Sequence, residues 1–256
     1  MKFHNDSDNL MDSYDSLFNL AGYAVARKDA FSSYDLVVLV TGRDLVSVYS
    51  DGRFSSGTAG RAFVGKVCDE RYKVGAVEDL PPTYDGVHTF VHEVGHLMGC
   101  VHDGARADSS ITNHPGAENC PGAEKFIMST SVAFNSQDKF SYCCGQQIHV
   151  VYHLEATACL KRETTSSIIN STQLPGDLLL NADQYCKYEH PEYNKTAKNM
   201  PNLGNLSQCV IACELIQGNL RMHLHKSPDG IPCEDGTGKV CINKECVDYT
   251  SPTPAQ

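Results

Sequence analysis

Hydrophobic spacing divides the chain into segments of different character. Leu10, Tyr14, Leu17, Phe18 and Ala21 recur at helical intervals, which predicts a helix over 10–26. Leu36–Val40 is an unbroken aliphatic run, the pattern of a strand buried on both faces. Asp51-Gly52 marks a turn, and Ala62–Val67 reads as a short strand with Gly65 inside it. His88–Gly99 predicts a helix closed by a glycine cap. Ile148, Val151, Tyr152 and Ala156 share one side of a further helix predicted over 147–156. After about residue 185 the periodic runs thin out and Gly, Pro and Asn rise, which predicts a loop-rich region. The fold class expected is mixed α/β (α+β), followed by a smaller region with little regular structure.

Cysteine content sharpens this division. The 256 residues include 12 cysteines, and no Cys-x-x-Cys pair occurs among them. Zinc ribbons and thioredoxin-like redox sites are thereby disfavoured, and disulfides in an oxidising compartment are expected. Six cysteines (68, 100, 120, 143, 144, 159) precede residue 160, and six (186, 209, 213, 233, 241, 246) follow residue 185. The Ser/Thr-rich stretch Glu163–Gln173 reads as a linker between them. The expected domains are therefore residues 1–160, a linker at 161–173 and a cysteine-rich domain at 174–256, with a disordered tail from Ser251. Sequons at Asn5, Asn170, Asn194 and Asn205 agree with a secreted glycoprotein. A net charge of −10 excludes the basic face of a nucleic-acid binder, and no apolar run is long enough for a membrane helix. Because the polar start lacks an apolar signal core, the chain is expected to be a fragment.

The chemistry concentrates in Thr89–Asp103. His92 and His96 stand four apart, which on a helix turns both imidazoles to one face. Glu93 follows the first, and Gly99 permits a sharp turn that returns His102 as a third ligand. Three protein ligands with one position open define a catalytic zinc site rather than a closed structural one. A chance match to these five fixed positions in a chain of this composition is on the order of 10⁻⁴. His88 and His114 read as surface or loop residues, and His223 and His225 as strand residues rather than a second metal site.

The pattern HExxHxxGxxH resembles the metzincin signature. Phe126-Ile127-Met128-Ser129 is similar to the Met-turn beneath the metal in that family, and Asp103 after the third histidine resembles the reprolysin branch, the adamalysin and ADAM type. The resemblance implies a metzincin catalytic domain with a central twisted sheet and a zinc helix. Tyr34–Gly42 is similar to its central strand, and Ala62–Cys68 to its edge strand. That places Phe63, Val64 and Gly65 against extended substrate. It also implies bridges Cys68–Cys159 and Cys120 to Cys143 or Cys144; Cys100 departs from the usual apolar residue of the family, and a bridge to whichever of the two remains is expected. Asp35 matches a position that helps hold structural Ca²⁺ in some relatives. The C-terminal part resembles disintegrin-like and cysteine-rich modules of ADAMTS type. The whole is similar to the secreted salivary reprolysin-like metalloproteases of ticks. In such proteins the zinc helix lies deeper in the catalytic domain, so the opening strands, signal and pro-segment are expected to be missing here.

The activity so implied is a secreted, extracellular zinc endopeptidase with Glu93 as general base, His92, His96 and His102 as ligands, and Met128 beneath them. Its expected partners are protein or peptide substrates, among them host matrix or haemostasis proteins. It is expected to act as a monomer, without nucleic acid and without membrane insertion. The rival reading is a non-catalytic binding protein acting through its cysteine-rich domain.

Overall fold

The computed structural model describes residues 9–80, 82–130, 138–162, 174, 176, 181–193, 197–217 and 219–249. Residues 163–173 of the predicted linker, the C-terminal tail from Ser251 and the sequons at Asn5, Asn170 and Asn194 lie outside the described residues. The chain divides into two compact units, one of residues 1–79 and 85–164, the other of 80–84 and 165–256.

In the first unit a short strand β1 (Leu10–Asp12) leads into helix α1 (Ser13–Ala26). The helix begins later than its spacing suggests because the Asp12 carboxylate caps it, accepting from the N–H groups of Tyr14 and Asp15, both at 2.8 Å. A single helical turn, α2 (Lys28–Phe31), follows. Strands β2 (Val37–Thr41), β3 (Asp44–Val48), β4 (Phe54–Ser55), β5 (Gly60–Ala62) and β6 (Val74–Glu78) come next. They form two three-stranded sheets, ordered β1-β3-β4 and β2-β6-β5. β6 is the inner strand, parallel to β2 and antiparallel to β5, and four of its five residues are buried.

Two expectations are corrected here. The aliphatic run forms β2 as predicted, but β2 is the edge of its described sheet, and Val40 is 53% exposed rather than buried on both faces. The predicted strand 62–67 ends at Ala62. Gly65 and Cys68 take positive φ (+65° and +67°), which breaks the extended path.

Helix α3 (Gly86–Leu97) packs across β5 and β6. Helix α4 (Tyr142–Tyr152) starts five residues before the sequence suggests and stops short of Ala156. Its start is set by the Ser141 hydroxyl, which accepts the Cys144 N–H at 3.2 Å. The core beneath α1 joins Leu17, Leu20, Ala21 and Ala24 to Val74 of β6. Bridges Cys68–Cys159, Cys100–Cys144 and Cys120–Cys143 lie within this unit.

The second unit is less loop-rich than predicted. Helix α5 (Ala182–Glu189) and strand β7 (Lys198–Asn199) adjoin a long antiparallel hairpin, β8 (Val210–Gln217) and β9 (Asn219–Lys226). A small hairpin, β10 (Lys239–Ile242) and β11 (Glu245–Asp248), follows. Its core is small: Tyr185, Ile211, Leu215 and Ile231 with a few alanines and cysteines. Bridges Cys186–Cys213, Cys209–Cys241 and Cys233–Cys246 reinforce it, as expected where a domain is too small for a large core. Asn205, the one sequon described, is exposed.

Candidate metal centre

α3 carries His92 and His96 one turn apart, and the geometry of its end decides where the third histidine goes. Gly99 adopts φ +106°, and a Cβ there would meet Val151 Cγ2 at 2.4 Å. Only glycine makes this turn without displacing α4. The backbone beyond it is fixed by the Cys100–Cys144 bridge and by the Val101 N–H, which donates to Gln147 Oε1 at 2.8 Å. His102 thereby folds back over the helix. Its ring centroid stands 5.1 Å from His92 and 4.8 Å from His96.

The protonation pattern follows from the partners. His92 Nδ1 faces the Ile127 carbonyl at 2.6 Å, and His96 Nδ1 faces the Cys100 carbonyl at 2.7 Å. A carbonyl only accepts, so both Nδ1 atoms carry the proton and both Nε2 atoms carry lone pairs. Each of these Nε2 atoms lies 3.2 Å from His102 Nε2. One proton on His102 could satisfy one contact but not both. A cation satisfies all three. Tetrahedral zinc with Zn–N bonds of about 2.0–2.1 Å sets its nitrogens about 3.3–3.4 Å apart, so the three imidazoles fit it. Burial pushes His92 down to about 4 and His96 down to about 3, and lowers His102 as well. The lone pairs therefore stay available at neutral pH.

Glu93 lines the same cleft, a space of about 740 Å³ that also includes Gly60, Arg61, Ala62, Val64, His88, Thr89 and Ser129. The residue is 4% exposed, and its Oε2 has no hydrogen-bond partner among the described residues. Burial pushes Glu93 up to about 8, opposed by the Arg61 guanidinium. A cation on the neighbouring imidazoles also favours the ionised form. Arg61 is itself anchored, donating to the Ser13 hydroxyl at 3.1 Å and the Ser47 hydroxyl at 3.2 Å.

Met128 is fully buried beneath α3 with Ile127, Cys100 and Cys144. Its carbonyl accepts the Asp103 N–H at 2.9 Å, and Asp103 Oδ1 accepts the Ser141 hydroxyl at 2.6 Å. The turn at Ile127-Met128 therefore braces both ends of the histidine array, holding His92 by one carbonyl and the His102 loop by the next.

The predicted substrate triplet is split. Val64 lines the cleft, whereas the Phe63 ring packs inward, 5.3 Å from Phe18 and 4.9 Å from Tyr72. The Gly65 N–H donates to the His96 carbonyl at 2.8 Å, so it is engaged with the metal helix. The free edge nearest the cleft is β5, residues 60–62. His114 is also not a surface residue. It is 8% exposed, its Nδ1 accepts from the Asp108 N–H, and its Nε2 donates to the Gly99 carbonyl at 2.8 Å, locking the turn. Asp35 stands with Cys68 and Cys159, whose sulfurs are joined in a bridge and cannot serve as ligands.

Gly60 and Gly95 were not legible as site residues. A Cβ on Gly60 would meet Glu93 Oε1 at 2.6 Å, and one on Gly95 would meet Met128 Sδ at 2.7 Å. Their smallness lets the base and the methionine approach. The only signal in the sequence is that Gly95 falls inside the motif, where a good helix former would otherwise be expected.

A partly buried imidazole triad with a buried glutamate in the same cleft is the equipment of a metal-dependent hydrolase. Residues 5–141 match the profile of metallopeptidase family M12, of reprolysin type. The chain belongs to this family, which makes it a metallopeptidase homologue and implies a metal. It is 29% identical to an ADAMTS-like protein of Bombyx mori over 96% of this chain and 36% of that one. To the venom metalloproteinase antarease TserMP_A of Tityus serrulatus it is 32% identical, over 51% of this chain and 33% of that one. Identity to human "A disintegrin and metalloproteinase with thrombospondin motifs 1" is 27%, over 85% of this chain and 21% of that one. The chain thus spans about a third or less of the length of these three relatives. Among the described residues no helix is long and apolar enough to cross a membrane.

Proposed function

We propose that this chain carries the catalytic centre of a secreted, zinc-dependent endopeptidase that cuts extended protein substrates, extracellular-matrix or haemostasis proteins among them. The observation that carries the reading is the convergence of the Nε2 atoms of His92, His96 and His102, the first two unprotonated, in the cleft that also holds Glu93. These three histidines are the proposed ligands. Zinc bound there supplies Lewis acidity towards a carbonyl and acidifies water. Glu93 Oε2, unpartnered and buried, takes the proton of the attacking water and passes it to the departing amine. Met128 does not ligate. It fills the space beneath Gly95 and sets the backbone that orients His92.

The substrate lies along β5, whose inner side is already paired with β6. An extended peptide adds one more strand there by backbone hydrogen bonds, while Val64 and Ala62 shape the adjoining pocket. Phe63 and Gly65 act from behind, as packing and as a tie to α3. The overall layout is that of a metzincin domain. Residues 174–256 form a separate cysteine-rich domain, supported by three bridges that close among the last six cysteines. All six bridges and the secreted character of related venom proteins support an extracellular setting, with Asn205 available for glycosylation.

A peptide-library digest with and without a zinc chelator tests the reading. Cleavage that disappears with the chelator and returns with added zinc is expected. Cleavage indifferent to chelation, or none from a zinc-loaded protein, overturns it.

A further inference from the structure

The second unit gathers another set of ligand-type side chains, and none of them belongs to the peptidase cleft. The two-residue period of a strand puts His223 and His225 on one face of β9. The register sets them opposite Cys213 and Ile211 of β8. Cys213 is bridged to Cys186 of α5. His190 follows Cys186 by one helical turn and caps that helix, its N–H reaching the Cys186 carbonyl at 3.2 Å. One disulfide therefore suspends His190 above the two hairpin histidines.

The outcome is a compact trio. His190 Nε2 and His225 Nε2 are 3.1 Å apart. The His190 ring centroid lies 5.2 Å from both His223 and His225. One ligand nitrogen from each histidine falls within 4.8 Å of the others. Behind His225, Glu189 Oε1 stands 3.7 Å from Nδ1. A carboxylate behind an imidazole directs its other nitrogen outward and raises its basicity as a ligand. The Tyr185 ring, 5.5 Å away, supports the same histidine from the core. His190 is buried, His225 half-buried and His223 exposed, so one side of the trio opens to solvent. A hydrogen bond between His190 and His225 explains that pair alone. It does not explain why the His223 ring stands edge-on to His190.

We propose that His190, His223 and His225 form a second zinc site, which joins α5 to the β8–β9 hairpin. Three imidazoles suit a borderline divalent ion and do not suit Ca²⁺ or Mg²⁺, which take oxygen ligands. The open fourth position faces water. Because one ligand is exposed, this zinc exchanges more readily than the one in the cleft and stiffens the second unit when present.

The test uses the full chain, stripped of metal and titrated with Zn²⁺. Calorimetry and elemental analysis should give about two zinc ions per chain. His96→Ala should keep the ion at the trio, and His223→Ala/His225→Ala should keep the ion in the cleft with short-peptide cleavage unchanged. A second readout needs no variant. Carbethoxylation of His190, His223 and His225, followed by mass spectrometry, should slow at least about tenfold when Zn²⁺ is added, and not with Mg²⁺. If the parent binds one zinc and loses it in His96→Ala, the trio is not a metal site. Unchanged carbethoxylation in the presence of zinc overturns the proposal too. One zinc lost only in the double variant would instead refute the ligand set of the cleft and leave the trio standing.

Discussion

The two histidine clusters are built by different routes: in the cleft two Nε2 atoms lie 3.2 Å from a third, and in the second unit one pair is 3.1 Å apart with a nitrogen of the third ring within 4.8 Å. In the cleft, two ligands ride on one helix and the third returns through a turn that only glycine makes. Backbone carbonyls hold the outer nitrogens of His92 and His96 at 2.6 and 2.7 Å. The second trio is assembled from a helix end and a hairpin, with a disulfide as the link, and with a carboxylate at 3.7 Å and the Tyr185 ring at 5.5 Å behind His225. The first arrangement fixes tautomer and direction before any ion arrives. The second leaves one ring in solvent. Rigid backing makes a ligand set preorganised, and preorganisation is what separates a centre that can hold a reacting group in place from one that merely holds an ion. A further difference is chemical. Glu93 lines the same open cleft as its three imidazoles, whereas Glu189 sits behind His225, on the side of the ring away from His190.

The largest effect should come from removing the base. Glu93→Gln keeps the shape of the side chain and removes its ability to take a proton. The rate of peptide cleavage should fall at least ~10²-fold, the usual scale for a general base. Zinc content at both clusters should not change, because Glu93 is not a ligand. The folded protein should be at least as stable, since a buried neutral amide costs less than a buried carboxylate. Stopped-flow or fluorogenic assays with elemental analysis decide the matter. Activity within a few-fold of the parent would remove Glu93 from the mechanism and erase the chemical distinction between the clusters.

A smaller loss should follow from Gly60→Ala. The added Cβ would stand 2.6 Å from Glu93 Oε1 and 2.7 Å from Thr89 Cγ2, so the carboxylate must shift. Misplacing a catalytic group by about 1 Å costs up to ~10²-fold. The fall is expected in kcat more than in KM, with zinc retained and the second cluster untouched. An equal rise in KM with kcat intact would show that Gly60 serves the substrate edge rather than the base.

How much of this was legible in the chain depends on distance along it. The cleft motif spans eleven consecutive residues, so helical periodicity alone turns His92 and His96 to one face, and Gly99 announces the turn. The trio joins residues 33 and 35 positions apart, and nothing local to His190 points towards β9. Only the pairing of Cys186 with Cys213 creates the contact, and the last six cysteines alone allow 15 pairings. Strand register misled in another way. The segment after Ala62 has the apolar content of a strand, but Gly65 and Cys68 turn out of it, and the Gly65 N–H is claimed by the His96 carbonyl. His114 does lie in a loop, but its burial was not legible because its role lies in its partners, the Asp108 N–H and the Gly99 carbonyl. The second unit read as loop-rich on its Gly, Pro and Asn content, and that reading passed over the apolar run of β8 and the alternation of Leu220, Met222 and Leu224 with polar residues in β9.

The smallest expected effect probes the backing of the cleft directly. Ser141 performs two tasks with one hydroxyl. It donates to Asp103 Oδ1 at 2.6 Å and accepts from the Cys144 N–H at 3.2 Å, which caps α4. Asp103 in turn is the residue after His102, and its N–H is held by the Met128 carbonyl at 2.9 Å. Ser141→Ala should therefore lower stability by about 1–2 kcal/mol, the sum of a lost cap and a lost hydrogen bond moderated by relaxation. It should also weaken zinc binding in the cleft by about tenfold, the low end for groups that orient ligands without touching the ion. The ion bound at the trio should not respond, because no part of this chain of bonds enters the second unit. Competition against a chromophoric chelator measures both affinities in one protein. If Ser141→Ala left the cleft affinity unchanged, the hydroxyl would be a helix cap and nothing more, and the rigidity ascribed to the first cluster would rest on the carbonyls of Ile127 and Cys100 alone.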